Sequence, residues 1–202
     1  MKKIIFLILI WQIPFFYYGE TMAGKLKVST GKANENLSFK KAYFAGGCFW
    51  CMEESFDKVD GVIKSISGYS GGKMKNPTYQ DVIYKDTGHV EAIEITYDPK
   101  KISYEKLLAI FWKNIDPFDK YGQFCDKGKS YRSVIFFKNN KQKKIIQNSV
   151  FEVEKRFNSK VVTMLWKFDK FYKAEDYHQD YYQKKIFYDI LLIKKLVREK
   201  RY

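Results

Sequence analysis

The chain has 202 residues, 37 Lys+Arg against 23 Asp+Glu, and a formal net charge of +14 at neutral pH. That length suits one domain with a tail, and an apolar share of 46% excludes a wholly disordered chain. With 3 cysteines a disulfide scaffold is excluded, and one continuous apolar stretch excludes a polytopic membrane protein.

Met1-Lys2-Lys3 is a short positive start, followed by apolar residues from Ile4 to Tyr18 that only Gln12 and Pro14 interrupt. Thr21-Met22-Ala23 then offers small residues ahead of a cut after Ala23. This is the layout of a secretory signal peptide over residues 1–23. An uncleaved N-terminal membrane anchor is the alternative, but a bilayer core of about 30 Å wants roughly 20 apolar residues. The expected location is therefore periplasmic or otherwise extracytoplasmic. There, an odd number of cysteines leaves at least one thiol unpaired or cycling. Residues 24–38 are polar and aperiodic and read as a linker, leaving 39–202 as the domain, with a basic helical C-terminal extension.

Within the domain, Ala42 to Ala45 predicts a central strand ended by Gly46-Gly47. Cys48 to Val59 predicts a helix, with Phe49, Met52, Phe56 and Val59 on one face. Gly61 to Tyr69 predicts a second strand, Ser70 to Thr78 a Gly/Asn/Pro loop, and Val90 to Tyr97 a third strand. Ser103 is an N-cap for a helix over Tyr104 to Asn114. Asp116 to Ser130 is a loop, Tyr131 to Phe137 a strand, Asn140 to Phe157 a helix and Val161 to Trp166 a strand. Ala174 to the end reads as helical. This order argues for an α+β fold, a two-layer mixed-sheet sandwich with a ferredoxin-like split βαβ core.

The sharpest local feature is Gly46-Gly47-Cys48-Phe49-Trp50-Cys51. A cysteine behind two glycines at a helix start meets unpaired N–H groups and a partial positive charge, which favour its thiolate. Lowering a thiol pKa from about 8.5 to about 7 takes roughly 2 kcal/mol, more than a helix end usually supplies, so a second contributor is expected nearby. A small buried hydrophobe is the alternative for Cys48. Cys48 and Cys51 also form C-x-x-C, open to three readings: a thioredoxin-like redox pair, half a zinc site, or a nucleophile beside an unrelated cysteine. Zinc lacks a second short-spaced ligand pair, since Cys125, His89 and His178 are scattered, so no metal is expected.

The stretch Gly46-Gly47-Cys48-Phe49-Trp50 resembles the active-site signature of the A-type peptide methionine sulfoxide reductases. Further blocks resemble that family in order: Gly68-Tyr69-Ser70-Gly71-Gly72 with Asn76-Pro77-Thr78-Tyr79; Thr87-Gly88-His89-Val90-Glu91-Ala92; Asp126-Lys127-Gly128 with Ser130-Tyr131-Arg132-Ser133; and Ala174-Glu175-Asp176-Tyr177-His178-Gln179-Asp180-Tyr181. The resemblance implies Cys48 as the nucleophile on the sulfoxide sulfur of S-epimer methionine sulfoxide, free or in proteins. It implies Phe49 and Trp50 as the wall for the substrate methyl group, and neutral Glu91 as proton donor to the sulfoxide oxygen. Tyr69 and Tyr131 would hydrogen-bond that oxygen, with Asp126 completing the site. A solvent-facing strand residue, like Glu94, is the alternative for Glu91. The attack leaves a sulfenic acid on Cys48, and no bound cofactor is implied.

The chain departs from the family where Gly commonly follows Phe-Trp, since Cys51 stands there, and its basic C-terminus carries no cysteine. The sulfenic acid is then resolved by Cys51, by Cys125 or by an outside thiol. The disulfide is reduced by a thioredoxin-like partner through exchange. For an exported chain that donor is periplasmic or membrane-coupled. A thioredoxin-like C-x-x-C oxidoreductase is the alternative function. It leaves the Glu91 and Tyr131 blocks unexplained. The clustered lysines read as a solvated face; no nucleic-acid motif accompanies them, and a monomer is expected.

Overall fold

A computed structural model describes residues 38–186 and 188. The expected signal segment, most of the linker and the basic stretch beyond 188 lie outside the described residues. The chain runs β1 (Lys40–Ala45), α1 (Phe49–Asp57), β2 (Val62–Ser70), α2 (Tyr79–Tyr84), β3 (Val90–Tyr97) and α3 (Tyr104–Lys113). It continues through a small hairpin, β4 (Gly122–Gln123) and β5 (Asp126–Lys127), then β6 (Val134–Phe137), α4 (Asn140–Phe157), β7 (Met164–Lys167) and β8 (Phe171–Lys173).

Among the described residues the main sheet has the order β7-β6-β1-β3-β2-β8. β3 pairs antiparallel with both β1 and β2, so the β1-α1-β2 unit is split by an inserted strand. β6 lies antiparallel on the other side of β1, which completes the ferredoxin-like α+β arrangement. β6 and β7 pair in parallel, and α4 makes the crossover between them.

Alternation along the strands sorts the two faces. Phe44, Ile93, Ile95 and Tyr69 point with Phe49, Phe56 and Phe111 into the core beneath the helices. Burying each such aromatic or aliphatic side chain contributes about 1.5–3 kcal/mol. Tyr43, Ala45, Val90, Ala92, Val134 and Phe136 point the other way, against Met164, Trp166, Phe168 and Phe171. Glu94 belongs to this second face and is 8% exposed, contrary to the solvent-facing role expected of it. Its carboxylate accepts from the Tyr43 hydroxyl and the Lys41 ammonium, each at 2.7 Å.

Several boundaries differ from the expected ones for local reasons. The strand expected from Tyr131 begins at Val134, because Lys129–Tyr131 forms a 3-10 turn behind Gly128. The helix expected from Ala174 is a 3-10 turn over Asp176–His178, and regular helix resumes only at residue 181. Asp180, at φ 54°, breaks the two apart. Four elements were absent from the sequence expectation: α2, started by a Thr78–Asp81 capping box, β4 and β5 inside the expected Asp116–Ser130 loop, and β8 on the sheet edge.

β8 can approach β2 because Gly68 has no side chain; a Cβ there would overlap the Tyr172 carbonyl and the Phe171 ring. Gly68→Ala is expected to lower unfolding stability by about 1–3 kcal/mol, and an unchanged urea midpoint would contradict this packing.

Candidate active site

The site starts where β1 ends. Gly47 has φ +81°, and a Cβ on it would lie 2.5 Å from the Gln123 Cβ, so a side chain is excluded twice over. This turn delivers Cys48 to the N-cap of α1, at φ −54° and ψ 116°. The amide of Phe49, in the first helical turn, has no partner within the helix. It donates instead to Glu91 Oε2 at 3.0 Å, buried, joining α1 to β3.

Glu91 stands opposite Tyr69 in the β2–β3 register and is 2% exposed. Burial pushes its carboxyl up to about 8, helped by the nearby Asp126 carboxylate and opposed by the Phe49 amide and the Tyr131 hydroxyl. Glu91 is therefore predominantly neutral at neutral pH.

The rings pack around this carboxyl. Phe49, 1% exposed, has its centroid 5.9 Å from Tyr69, 6.4 Å from Tyr79 and 4.9 Å from His178. Trp50 is half-buried, stacks on Tyr181 at 3.8 Å and donates its indole N–H to His178 Nδ1 at 3.1 Å. Burial holds the imidazole of His178 below its ordinary pKa, so it accepts as a neutral ring. His89 is likewise engaged, accepting from the Gly72 amide at 3.1 Å with its other nitrogen 2.8 Å from the Met74 carbonyl.

The two expected phenols differ. Tyr69 donates its hydroxyl to Glu175 Oε2 at 2.8 Å, while Glu175 Oε1 accepts from the Tyr79 amide at 2.9 Å. The Tyr69 proton is thus committed away from Glu91. Tyr131 faces Glu91 and Tyr79, and its hydroxyl favours the ionised form of each. Tyr79 in turn feels the charges of Glu91 and Cys48. Tyr79 was missed as a site residue, although its Asn-Pro-Thr-Tyr block was visible; nothing in a linear block tells which hydroxyl turns inward. Glu175 was missed for the same reason.

Cys48 and Cys51 are neighbours at the start of α1, and each shifts the ionisation of the other. The Cys51 thiol raises Cys48, with burial and the Glu91 carboxyl acting the same way, while the Cys51 amide partly favours its thiolate. The Cys48 thiol lowers Cys51 to about 6, with Tyr182 helping and burial, Asp126 and Glu54 opposing. The neighbouring thiol is thus not the second contributor expected to lower Cys48: it raises Cys48, and the first thiolate of the pair rests on Cys51. Cys125 is exposed in the Phe124–Cys125 turn between β4 and β5, next to Asp126. Among the described residues no hydrogen bond ties it to either of the other sulfurs.

A family model described as peptide methionine sulfoxide reductase matches residues 40–201. The chain belongs to this family. It is similar to the peptide methionine sulfoxide reductase MsrA of Listeria monocytogenes serotype 4b, 51% identical over 73% of this chain and 84% of that one. The MsrA of Streptococcus agalactiae serotype III is 48% identical over 71% and 86% of the two chains. Among solved structures, reduced Mxr1 from Saccharomyces cerevisiae aligns with a TM-score of 0.68 and 30% identity, over 72% of this chain and 85% of that one. Methionine sulfoxide reductase A of Corynebacterium diphtheriae aligns with a TM-score of 0.65 and 27% identity, over 72% and 74%. The chain is thus an oxidoreductase that reduces methionine sulfoxide, and the thioredoxin-like alternative finds no support.

In this reductase the fold gathers Cys48, Cys51, Phe49, Trp50, Glu91, Tyr131 and Asp126, and leaves Cys125 on a neighbouring turn. The raised Glu91 carboxyl has a consequence for stability. Folded Glu91 keeps its proton up to about pH 8, whereas an ordinary carboxyl loses it near 4.5, so native stability falls as pH rises through that window. Relative to Glu91→Gln, the wild-type protein is expected to lose on the order of 3 kcal/mol between pH 5 and pH 9. Urea unfolding of both proteins checks this, and parallel pH curves would contradict it.

Proposed function

We propose that Cys48 takes the oxygen from methionine S-sulfoxide, with Glu91 as the proton donor and Cys51 as the resolving thiol. The observation that carries this reading is the Cys48–Cys51 thiol pair placed at the start of α1, beside a buried neutral carboxyl. Cys48 attacks the sulfoxide sulfur once its own proton has passed to the neighbouring sulfur. As the sulfoxide oxygen gains basicity, Glu91 supplies a proton to it where charge develops. Oxygen ends on Cys48 as a sulfenic acid and methionine leaves. The substrate sulfur gains two electrons and the Cys48 sulfur loses two. Phe49 and Trp50 receive the methyl group. Tyr131 and Tyr79 hold the oxygen. Tyr79 takes the place that the resemblance implied for Tyr69, and Tyr69 braces Glu175. Burial keeps Glu91 protonated, and Asp126 beside it adds to this.

Cys51 then attacks the sulfenic sulfur, an S–S bond forms, the S–O bond breaks and water leaves. Cys125, exposed beside Asp126, carries the disulfide outward as a second relay. A thioredoxin-like dithiol restores the thiols by exchange. The N-terminal apolar segment supports a role in repairing exported proteins, with a periplasmic or membrane-coupled donor.

Two experiments test these assignments. Cys48→Ser is expected to abolish reduction of a methionine sulfoxide peptide with dithiothreitol, and in the wild type the single-turnover rate should fall as pH rises through about 8, as Glu91 deprotonates. Residual turnover without Cys48 would overturn its role. Tyr79→Phe is expected to slow oxygen transfer by about 10- to 100-fold, and Tyr69→Phe to slow it less while lowering stability; the reverse order would return the role to Tyr69.

A further inference from the structure

Cys51 does not stand alone on its face of α1. Its sulfur lies 3.4 Å from the hydroxyl of Tyr182, 131 residues along the chain. Three contacts hold that tyrosine in place. The Asp180 amide donates to the buried Glu53 carboxyl at 3.1 Å. Tyr181 lies flat on Trp50, at 3.8 Å and 7°. Gln183 Nε2 donates to Asp57 Oδ2 at 3.2 Å. The segment is thus pinned along α1 on both sides of Tyr182, and the phenol reaches the sulfur from a fixed base.

We propose that Tyr182 is a further catalytic residue, one whose hydroxyl donates to the Cys51 sulfur and holds it as the thiolate that resolves the Cys48 sulfenic acid. This inference rests on the assignment of Cys51 as resolving thiol made above.

The direction of the bond follows from the two groups. The contact with Cys51 keeps the phenol protonated far above neutral pH, whereas the Cys51 thiol sits at about 6. The proton therefore belongs to oxygen and the negative charge to sulfur. The groups facing Cys51 are Cys48 and Tyr182, which favour its charge, and Asp126 and Glu54, which oppose it. The balance changes during the reaction. Once Cys48 has become a sulfenic acid its S–H is gone, and with it the strongest support for the Cys51 charge. Of the donors in the resting pair, Tyr182 is the one that survives into the step that needs a thiolate.

In that step Cys51, having released to solvent the proton it took from Cys48, attacks the Cys48 sulfur as a thiolate; the S–S bond forms and the sulfenic S–O bond breaks. The departing hydroxide takes a proton from solvent and leaves as water. Cys51 is oxidised and the sulfenic sulfur reduced, each by one formal electron. Tyr182 gives up no proton. It stabilises the attacking sulfur and is released when the charge disappears into the disulfide.

The test uses Tyr182→Phe in a Cys125→Ser chain. Thiolate absorbance at 240 nm, followed against pH in that chain with Cys48→Ser added, reads Cys51 alone; the phenylalanine is expected to raise its midpoint by about one pH unit. After one turnover with a methionine sulfoxide peptide, disulfide formation near neutral pH, followed by loss of dimedone-reactive sulfenic acid, is expected to slow about tenfold. An unchanged midpoint, or an unchanged rate of sulfenic acid loss, overturns the role of Tyr182. The underlying assignment fails differently: Cys51→Ser, with Cys125 retained, would then still bridge Cys48 at the wild-type rate.

Discussion

The hydrogen bond from the Phe49 amide to Glu91 is the contact on which the site depends. It satisfies a helix-terminal donor that has no helical partner, and it fixes the carboxyl of a central strand directly beside the nucleophile. Neither group is free to do this without the fold. β3 carries Glu91 because it is inserted between β1 and β2, and β1 presents Cys48 because Gly47 turns the chain back at its end. A carboxyl buried this deeply is expensive to ionise, so the same geometry that positions it keeps it an acid. A proton donor and a reactive thiol thus share one pocket, and the carboxyl opposes the Cys48 thiolate by charge only when it ionises.

Much of this was legible in the sequence, and the limits have physical causes. Alternation over Val90–Tyr97 and the apolar spacing over Asn140–Phe157 identified β3 and α4 because each is long enough for a pattern to register, although β3 is buried on both faces and α4 fully buries Ile146 alone. The short elements were illegible. α2 has 6 residues and β8 has 3, too few for any periodicity to register. The C-terminal segment misled because its composition suits a helix. Its backbone opens instead so that Glu175 can reach Tyr69 and Tyr79 and Gln179 can bond the Ser67 backbone. Motif blocks located Cys48, Glu91 and Tyr131, but the choice between Tyr69 and Tyr79 depends on where a phenol points, which is a tertiary fact. Glu94 was misjudged similarly: alternation places it on the opposite face from Glu91, yet that face has its own small aromatic core.

The thiol pair shows how a second cysteine alters the first. A helix terminus favours an anion on Cys48, but a neighbouring sulfur three residues on competes for that charge and wins it in the resting protein. Cys48 is then a proton-bearing nucleophile whose partner already carries the charge. One proton shared between two sulfurs lets the charge move to whichever atom must attack next, and the carboxyl beneath them supplies the other proton the chemistry requires.

The strap formed by residues 171–183 has a biosynthetic consequence. It pairs with β2, braces the tyrosines through Glu175 and reaches Cys51, yet it is made roughly a hundred residues after the strand it joins. A ribosome-bound chain therefore displays Cys48 and Cys51 long before the groups that shape their environment have been synthesised. The two sulfurs leave the ribosome as ordinary thiols and acquire their division of labour only when the last segment closes over them.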